Sequence, residues 1–163
     1  MEQLKKDIIK YLKENAKYTD SQIASFLGVD VKNVSNAISE LENDGVIVKY
    51  SAIINDQAYD ENLVQALIEV KVAPQKLKGF DSYAEEIYSF KEVQSLYLMS
   101  GGFDLAVFVE GKSLTEVANF VAEKLSVIDG IISVATHFIL RKYKIEGQVT
   151  QTSTEGQRQI VQA

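Results

Sequence analysis

The hydrophobic period of this 163-residue chain first changes at Gly45, and that change sets what it can fold into. Before Gly45 apolar residues recur at helical spacing. Leu4, Ile8, Tyr11 and Leu12 mark one face of a helix predicted over Leu4 to Glu14. Ile23, Ala24 and Leu27 mark a second helix, with Thr19 or Asp20 placed to cap its start and Gly28 to stop it in a left-handed turn. Val34, Ile38 and Leu41 mark a third, which Asp30 caps and Gly45 breaks. After Gly45 the period falls to 2. The run Val46 to Ile54, rich in β-branched and aromatic residues, suits a two-stranded wing. Val64, Ala66, Ile68, Val70 and Val72 then alternate with Gln65, Leu67, Glu69 and Lys71, as in a half-buried strand.

Further strands read over Val93 to Ser100, Asp104 to Glu110 and Ile131 to Tyr143. Between them lie one helix with Phe80, Ala84 and Ile87 and another with Leu114, Val117, Val121 and Leu125. The predicted class is α+β: a winged helix-turn-helix over 1–54, a polar linker over 55–62, and a ferredoxin-like βαββαβ domain over 63–146. Residues 147–163 carry Gln148, Gln151, Gln157, Gln159 and Gln162 without periodicity and read as a flexible tail. Leu105 to Val109 is apolar at every position, so both faces of the central strands are expected to be buried. A second copy, sheet against sheet, is the simplest cover.

Composition removes several function classes. The absence of cysteine excludes disulfides, thiolate metal sites and a cysteine nucleophile, and it fits a reducing compartment. No apolar run approaches the ~20 residues of a membrane span, and the start Met1 to Asp7 lacks signal-peptide grammar, so a cytoplasmic location with no membrane partner is expected. His137 is the only histidine, Glu85 and Glu86 are adjacent on a helix and point apart, and no phosphate loop or nucleophile elbow occurs. Neither an enzyme nor a resident cofactor or metal is expected.

The net charge of -6 and pI near 4.9 run against a DNA binder, whose affinity draws on basic surface. The imbalance is uneven, however: residues 1–54 carry 7 Lys against 8 acidic residues, and the remainder 10 basic against 15 acidic. In a helix-turn-helix the first turns of the third helix enter the major groove. The residues available there are Lys32, Asn33, Ser35, Asn36 and Ser39, with Glu40, Glu42 and Asp44 gathered at the other end and Lys49 on the wing. Asn bonds bidentately to adenine, and Ser and Lys reach phosphates or bases, so this face is chemically able to read duplex DNA. The spacing alone also permits a small helical packing module, although the order of capped helix, Gly28 turn, capped helix and wing favours the helix-turn-helix.

A second candidate is the turn Ser100-Gly101-Gly102-Phe103-Asp104. A bound amino acid needs an anion for its ammonium and N–H groups for its carboxylate, and a Gly-rich turn ending in Asp offers both. The plainer alternative is a hairpin turn that needs glycine for positive φ and uses Asp104 as its cap.

These residues resemble a known family. Ile8-Ile9-Lys10-Tyr11-Leu12 with Asn15-Ala16-Lys17, Ile23-Ala24 to Leu27-Gly28-Val29, Val34, Ile38, Leu41-Glu42, Gly45-Val46-Ile47, Tyr50, Ala52 and Ile54-Asn55 are similar to the N-terminal part of the Lrp/AsnC (feast/famine) transcriptional regulators. Gly101, Phe103, Asp104, Gly130, Val134, Thr136 and Lys144 extend the likeness through about residue 144. The resemblance implies a DNA-binding regulator that dimerises through its second domain and often assembles further, commonly into octamers. It also implies an amino acid or related metabolite bound between subunits, with Asp104 and Thr136 at positions where family ligands are contacted. Two features depart from the pattern. Val31 to Glu40 holds no arginine where family recognition helices usually carry several, and Gly102 replaces a usually polar residue. The alternative expectation is a small-molecule sensor or protein-interaction module whose winged helix binds DNA weakly or not at all.

Overall fold

Local signals dominate the first unit of the chain. The computed structural model describes residues 2–60, 62–73 and 79–150, and the contacts divide it between Ile53 and Ile54. Helices α1 (Glu2–Glu14), α2 (Asp20–Leu27) and α3 (Val31–Asn43) enclose Ile8, Ile23, Ala24, Val34, Ala37 and Leu41, all buried. Removing an Ile, Leu or Val side chain from water is worth about 1.5–3 kcal/mol, so Ile8, Ile23, Val34 and Leu41 are the main support of a unit this small. Thr19 caps α2 in a reciprocal box: its Oγ1 accepts from Gln22 N, and the Gln22 side chain accepts from Thr19 N at 2.9 Å. Gly28, at φ 66, ends the helix. Asp30 then opens α3, its Oδ1 accepting from Lys32 N at 2.8 Å.

The expected two-stranded wing does not form. Residues 46–54 enter no strand ladder; the N–H groups of Val46 and Ile47 both reach back to Leu41 O, at 2.9 and 3.0 Å. The Tyr50 hydroxyl donates to Glu42 Oε1 at 2.9 Å. β-Branched composition favours an extended backbone, but a ladder also needs a facing strand, and the first unit supplies none.

The second unit starts with a four-residue helix, α4 (Asp56–Tyr59), inside the polar stretch 55–62. Asp56 is fixed by Lys142, whose Nζ lies 2.6 Å from its Oδ2, and Asn55 Nδ2 donates to Thr150 O. Then follow β1 (Val64–Val72), α5 (Phe80–Tyr88), β2 (Val93–Leu98), β3 (Leu105–Gly111), α6 (Leu114–Phe120) with a π-helical turn over Val121–Leu125, and β4 (Ile131–Phe138). The antiparallel sheet has the order β2-β3-β1-β4, the ferredoxin-like arrangement. A short hairpin of β5 (Lys144–Ile145) and β6 (Gln148–Val149) turns at Glu146 and Gly147, both at positive φ, a geometry matched to the twist of the flanking strands. The flexible-tail expectation for 147–163 therefore meets an ordered turn at its start, and residues 151–163 lie outside the described residues.

One face of the sheet is closed. Ala66, Ile68, Val70 and Val72 of β1 and Leu105, Val107 and Val109 of β3 pack with Tyr83 and Ile87 of α5, Val117 and Phe120 of α6, and Leu125. Gly130 is required by this packing: its φ is 92, and a Cβ there would overlap the Tyr83 hydroxyl, a buried group without a hydrogen-bond partner. The other face is open in the single chain, and it is the face for which a second copy is the expected cover. Ala106 is covered, but Leu67 and Phe108 are only half-buried and Tyr97, packed edge-on against Phe108 at 5.9 Å, is 54% exposed. On that face His137 Nε2 lies 3.4 Å from Glu69 Oε1, and Gln65 Nε2 donates to Glu110 Oε2 at 3.0 Å.

Candidate nucleic-acid interface and effector turn

Helical geometry sorts the predicted reading residues. With Val34, Ala37 and Leu41 facing the core, the outward stripe of α3 comprises Lys32, Asn36 and Ser39, all exposed. Asn33, also exposed, stands to one side of that stripe, and Ser35, half-buried, to the other. Lys49 is exposed in the extended segment beyond the helix. Asn43 continues the outward stripe at the next step of four and is exposed, beyond the first turns of the helix on which the sequence expectation rests. The spacing 32, 36, 39, 43 was the signal that could have found it.

The acids of α3 are occupied from within the unit. Lys5 Nζ of α1 lies 2.8 Å from Glu40 Oε2 and 3.8 Å from Asp44 Oδ2, while Tyr50 donates to Glu42. The Glu40 hydrogen bond, opposed by desolvation and helped by both carboxylates, holds the Lys5 ammonium above its usual pKa. Burial, the Glu42 hydrogen bond and nearby carboxylates push the Tyr50 phenol up to about 12. Lys5 is thus committed to α3, which leaves Lys10 and Lys13 as exposed lysines of α1 without an ion pair among the described residues.

The turn joining β2 to β3 runs over 99–104 and is closed by Met99 N donating to Asp104 O at 2.8 Å. Asp104 is structural as well as acidic. Its N–H donates to Val70 O at 3.0 Å, and its Oδ2 accepts from Val72 N at 2.9 Å, which ties the turn to the end of β1. Gly101 and Gly102 do not have positive φ, so the turn does not need glycine on that ground, and open space surrounds both. Ser100, Gly101 and Gly102 are exposed and Asp104 is half-buried. Thr136 of β4, half-buried, is paired with Ile68 of β1, across β1 from β3, which Asp104 precedes. The chain thus brings Ser100 to Asp104 together in one turn and leaves Thr136 on the opposite side of β1.

Two family models match this architecture. Residues 1–48 match a winged helix-turn-helix DNA-binding model, and residues 65–149 match the Lrp/AsnC ligand binding domain. The chain is 44% identical over 156 residues to an uncharacterized HTH-type transcriptional regulator of Bacillus subtilis, YugG, covering 95% of this chain and 94% of that protein. Among solved structures, it is similar to the leucine response regulatory protein LrpA of Mycobacterium tuberculosis, with a TM-score of 0.74 and 21% identity, covering 91% of this chain and 98% of that one. It is also similar to the transcriptional regulator NMB0573 of Neisseria meningitidis, solved as an L-Met complex, with a TM-score of 0.69 and 21% identity, covering 87% and 91%. The chain belongs to the Lrp/AsnC family of helix-turn-helix transcriptional regulators.

Proposed function

We propose that the protein reads duplex DNA with the outward stripe of α3, as a dimer joined sheet to sheet, under the control of an amino acid held at the Ser100–Asp104 turn. One observation carries the DNA reading: Lys32, Asn36 and Ser39 are exposed along the start of a capped helix, while every acid of that helix lies at its far end or just beyond, engaged by Lys5 or Tyr50. Asn33, Ser35 and Lys49 flank the stripe and serve backbone positioning. Asn36→Ala should lower preference at one base pair by ~1–3 kcal/mol, whereas Lys32→Ala should weaken all sequences alike and flatten the salt dependence. Titration of specific and scrambled duplexes at several salt concentrations reads both. An unchanged affinity in both variants would overturn the assignment and favour a sensor or interaction module, a reading supported by the absence of arginine from α3.

The dimer follows from the open sheet face, where Leu67, Phe108 and Tyr97 are incompletely covered in one chain. Assembly of dimers into octamers would multiply reading heads and raise effective concentration without new contacts. Light scattering of the wild type against Phe108→Glu tests the face, and a mass unaffected by that charge would count against it. For the effector, the N–H groups of Gly101 and Gly102 suit a carboxylate, and Asp104 keeps Oδ1 for an ammonium while Oδ2 serves Val72. Ser100 and Thr136 supply hydroxyls, Thr136 from a neighbouring subunit. The L-Met complex of the similar Neisseria protein supports this class of ligand.

A further inference from the structure

Away from the turn, α4 and the chain leaving β4 border a cavity of about 290 Å³ that neither the DNA face nor the effector turn uses. Leu63, Ile139 and Ile145, each half-buried, give it an apolar side. Its charged groups are not equivalent. Lys142 and Asp56 neutralise each other at 2.6 Å, with Gln65 Nε2 also 3.4 Å from Asp56, so this pair stiffens the wall and offers little to a ligand. Arg141 is different. It is the only arginine among the described residues, it makes no ion pair among them, and its contact is with the face of the Tyr143 ring, 5.9 Å from the centroid. A guanidinium held over a ring face at this distance spends no N–H on it, so its fork stays available for a two-pronged anion.

We propose that this cavity is a second small-ligand site that takes a short aliphatic monocarboxylate, its carboxylate forked by Arg141 and its alkyl body against Leu63, Ile139 and Ile145. The size is at the lower end for ligand cavities and suits an acid of about four to six carbons. Phosphate and other dianions are disfavoured, because the lining also holds Asp56 and Asp60 and offers a single guanidinium with no ion-pair partner. The site does not depend on the DNA or effector readings above.

The test is methyl-detected NMR on the full-length protein titrated with 3-methylbutanoate and with its neutral amide. Saturable shifts at the Ile139 and Ile145 methyls, about tenfold weaker with the amide and in Arg141→Gln, with Arg141→Lys in between, are the expected result. Met99, beside the effector turn, reports binding at the other place. Shifts confined to Met99, equal binding in Arg141→Gln, or no saturable shift would each overturn the proposal. Arg141 is exposed, so Arg141→Gln should fold as the wild type does, and an unchanged methyl spectrum without ligand verifies it.

Discussion

The two units keep structure and function apart to different degrees. In the helical unit, the residues that hold the fold and those that face outward are different residues on the same helix: Val34, Ala37 and Leu41 point inward, and Lys32, Asn36 and Ser39 point outward. In the sheet unit the proposed effector reading gives one residue both duties: Asp104 closes the turn onto β1 with one carboxylate oxygen, and only the other is left for a ligand. A helix separates its faces every turn, whereas a sheet-end turn has few atoms to share. The helical unit should therefore change specificity without losing stability, and the sheet unit should lose both together.

The strongest way to break this contrast is in the sheet unit's core. Gly130→Ala places a Cβ against the Tyr83 hydroxyl at a backbone angle that L-residues avoid, and it should cost ~3–5 kcal/mol in urea unfolding. Tyr83→Phe should recover part of that loss, since the hydroxyl it removes has no hydrogen-bond partner. Next comes Asp104→Ala, expected to cost about 1–3 kcal/mol because Val72 N–H is left without its acceptor, and, on the proposed effector reading, to abolish any response of DNA affinity to an amino acid. An effector response that survives with stability reduced would mean that the two duties are separable after all.

In the helical unit the effects should be smaller. Asp30→Ala removes the cap of α3 and should cost ~1 kcal/mol, measured by thermal unfolding, while Asn36→Ala should stay within about 0.5 kcal/mol of wild type. The least effect comes from Tyr50. Its phenol binds a proton more tightly in the folded chain than the ordinary value of 10, so its stabilising contribution is complete below pH 10 and is lost as pH rises from there through about 12. Tyr50→Phe should remove that component from an alkaline unfolding curve.

What the sequence made legible was local. Thr19, Gly28 and Asp30 announce the helix ends because capping acts over two or three residues, and the alternation from Val64 to Val72 places its even-numbered residues toward the helices as expected. The illegible parts depend on distant residues. Helix α4 sits in a stretch that reads as linker because its anchor, Lys142, is 86 residues away. The run Val46 to Ile54 reads as a wing by composition but has no facing strand. At the candidate sites, Lys32 and Asn36 were readable from helical phase, whereas the structural tie of Asp104 to Val72 and the ordinary φ of Gly101 and Gly102 depend on how β1 meets the turn.

The close fit between Gly130 and Tyr83 also constrains history. While a phenol occupies position 83, any side chain at 130 is penalised; losing the hydroxyl removes the closest overlap but leaves ring carbons 2.9 and 3.0 Å from a Cβ, and the left-handed backbone remains, so the barrier at 130 falls only in part. The two places are therefore coupled: a change at 130 costs less after a change at 83 than before it. A lineage that took the reverse order would have crossed a state less able to stay folded.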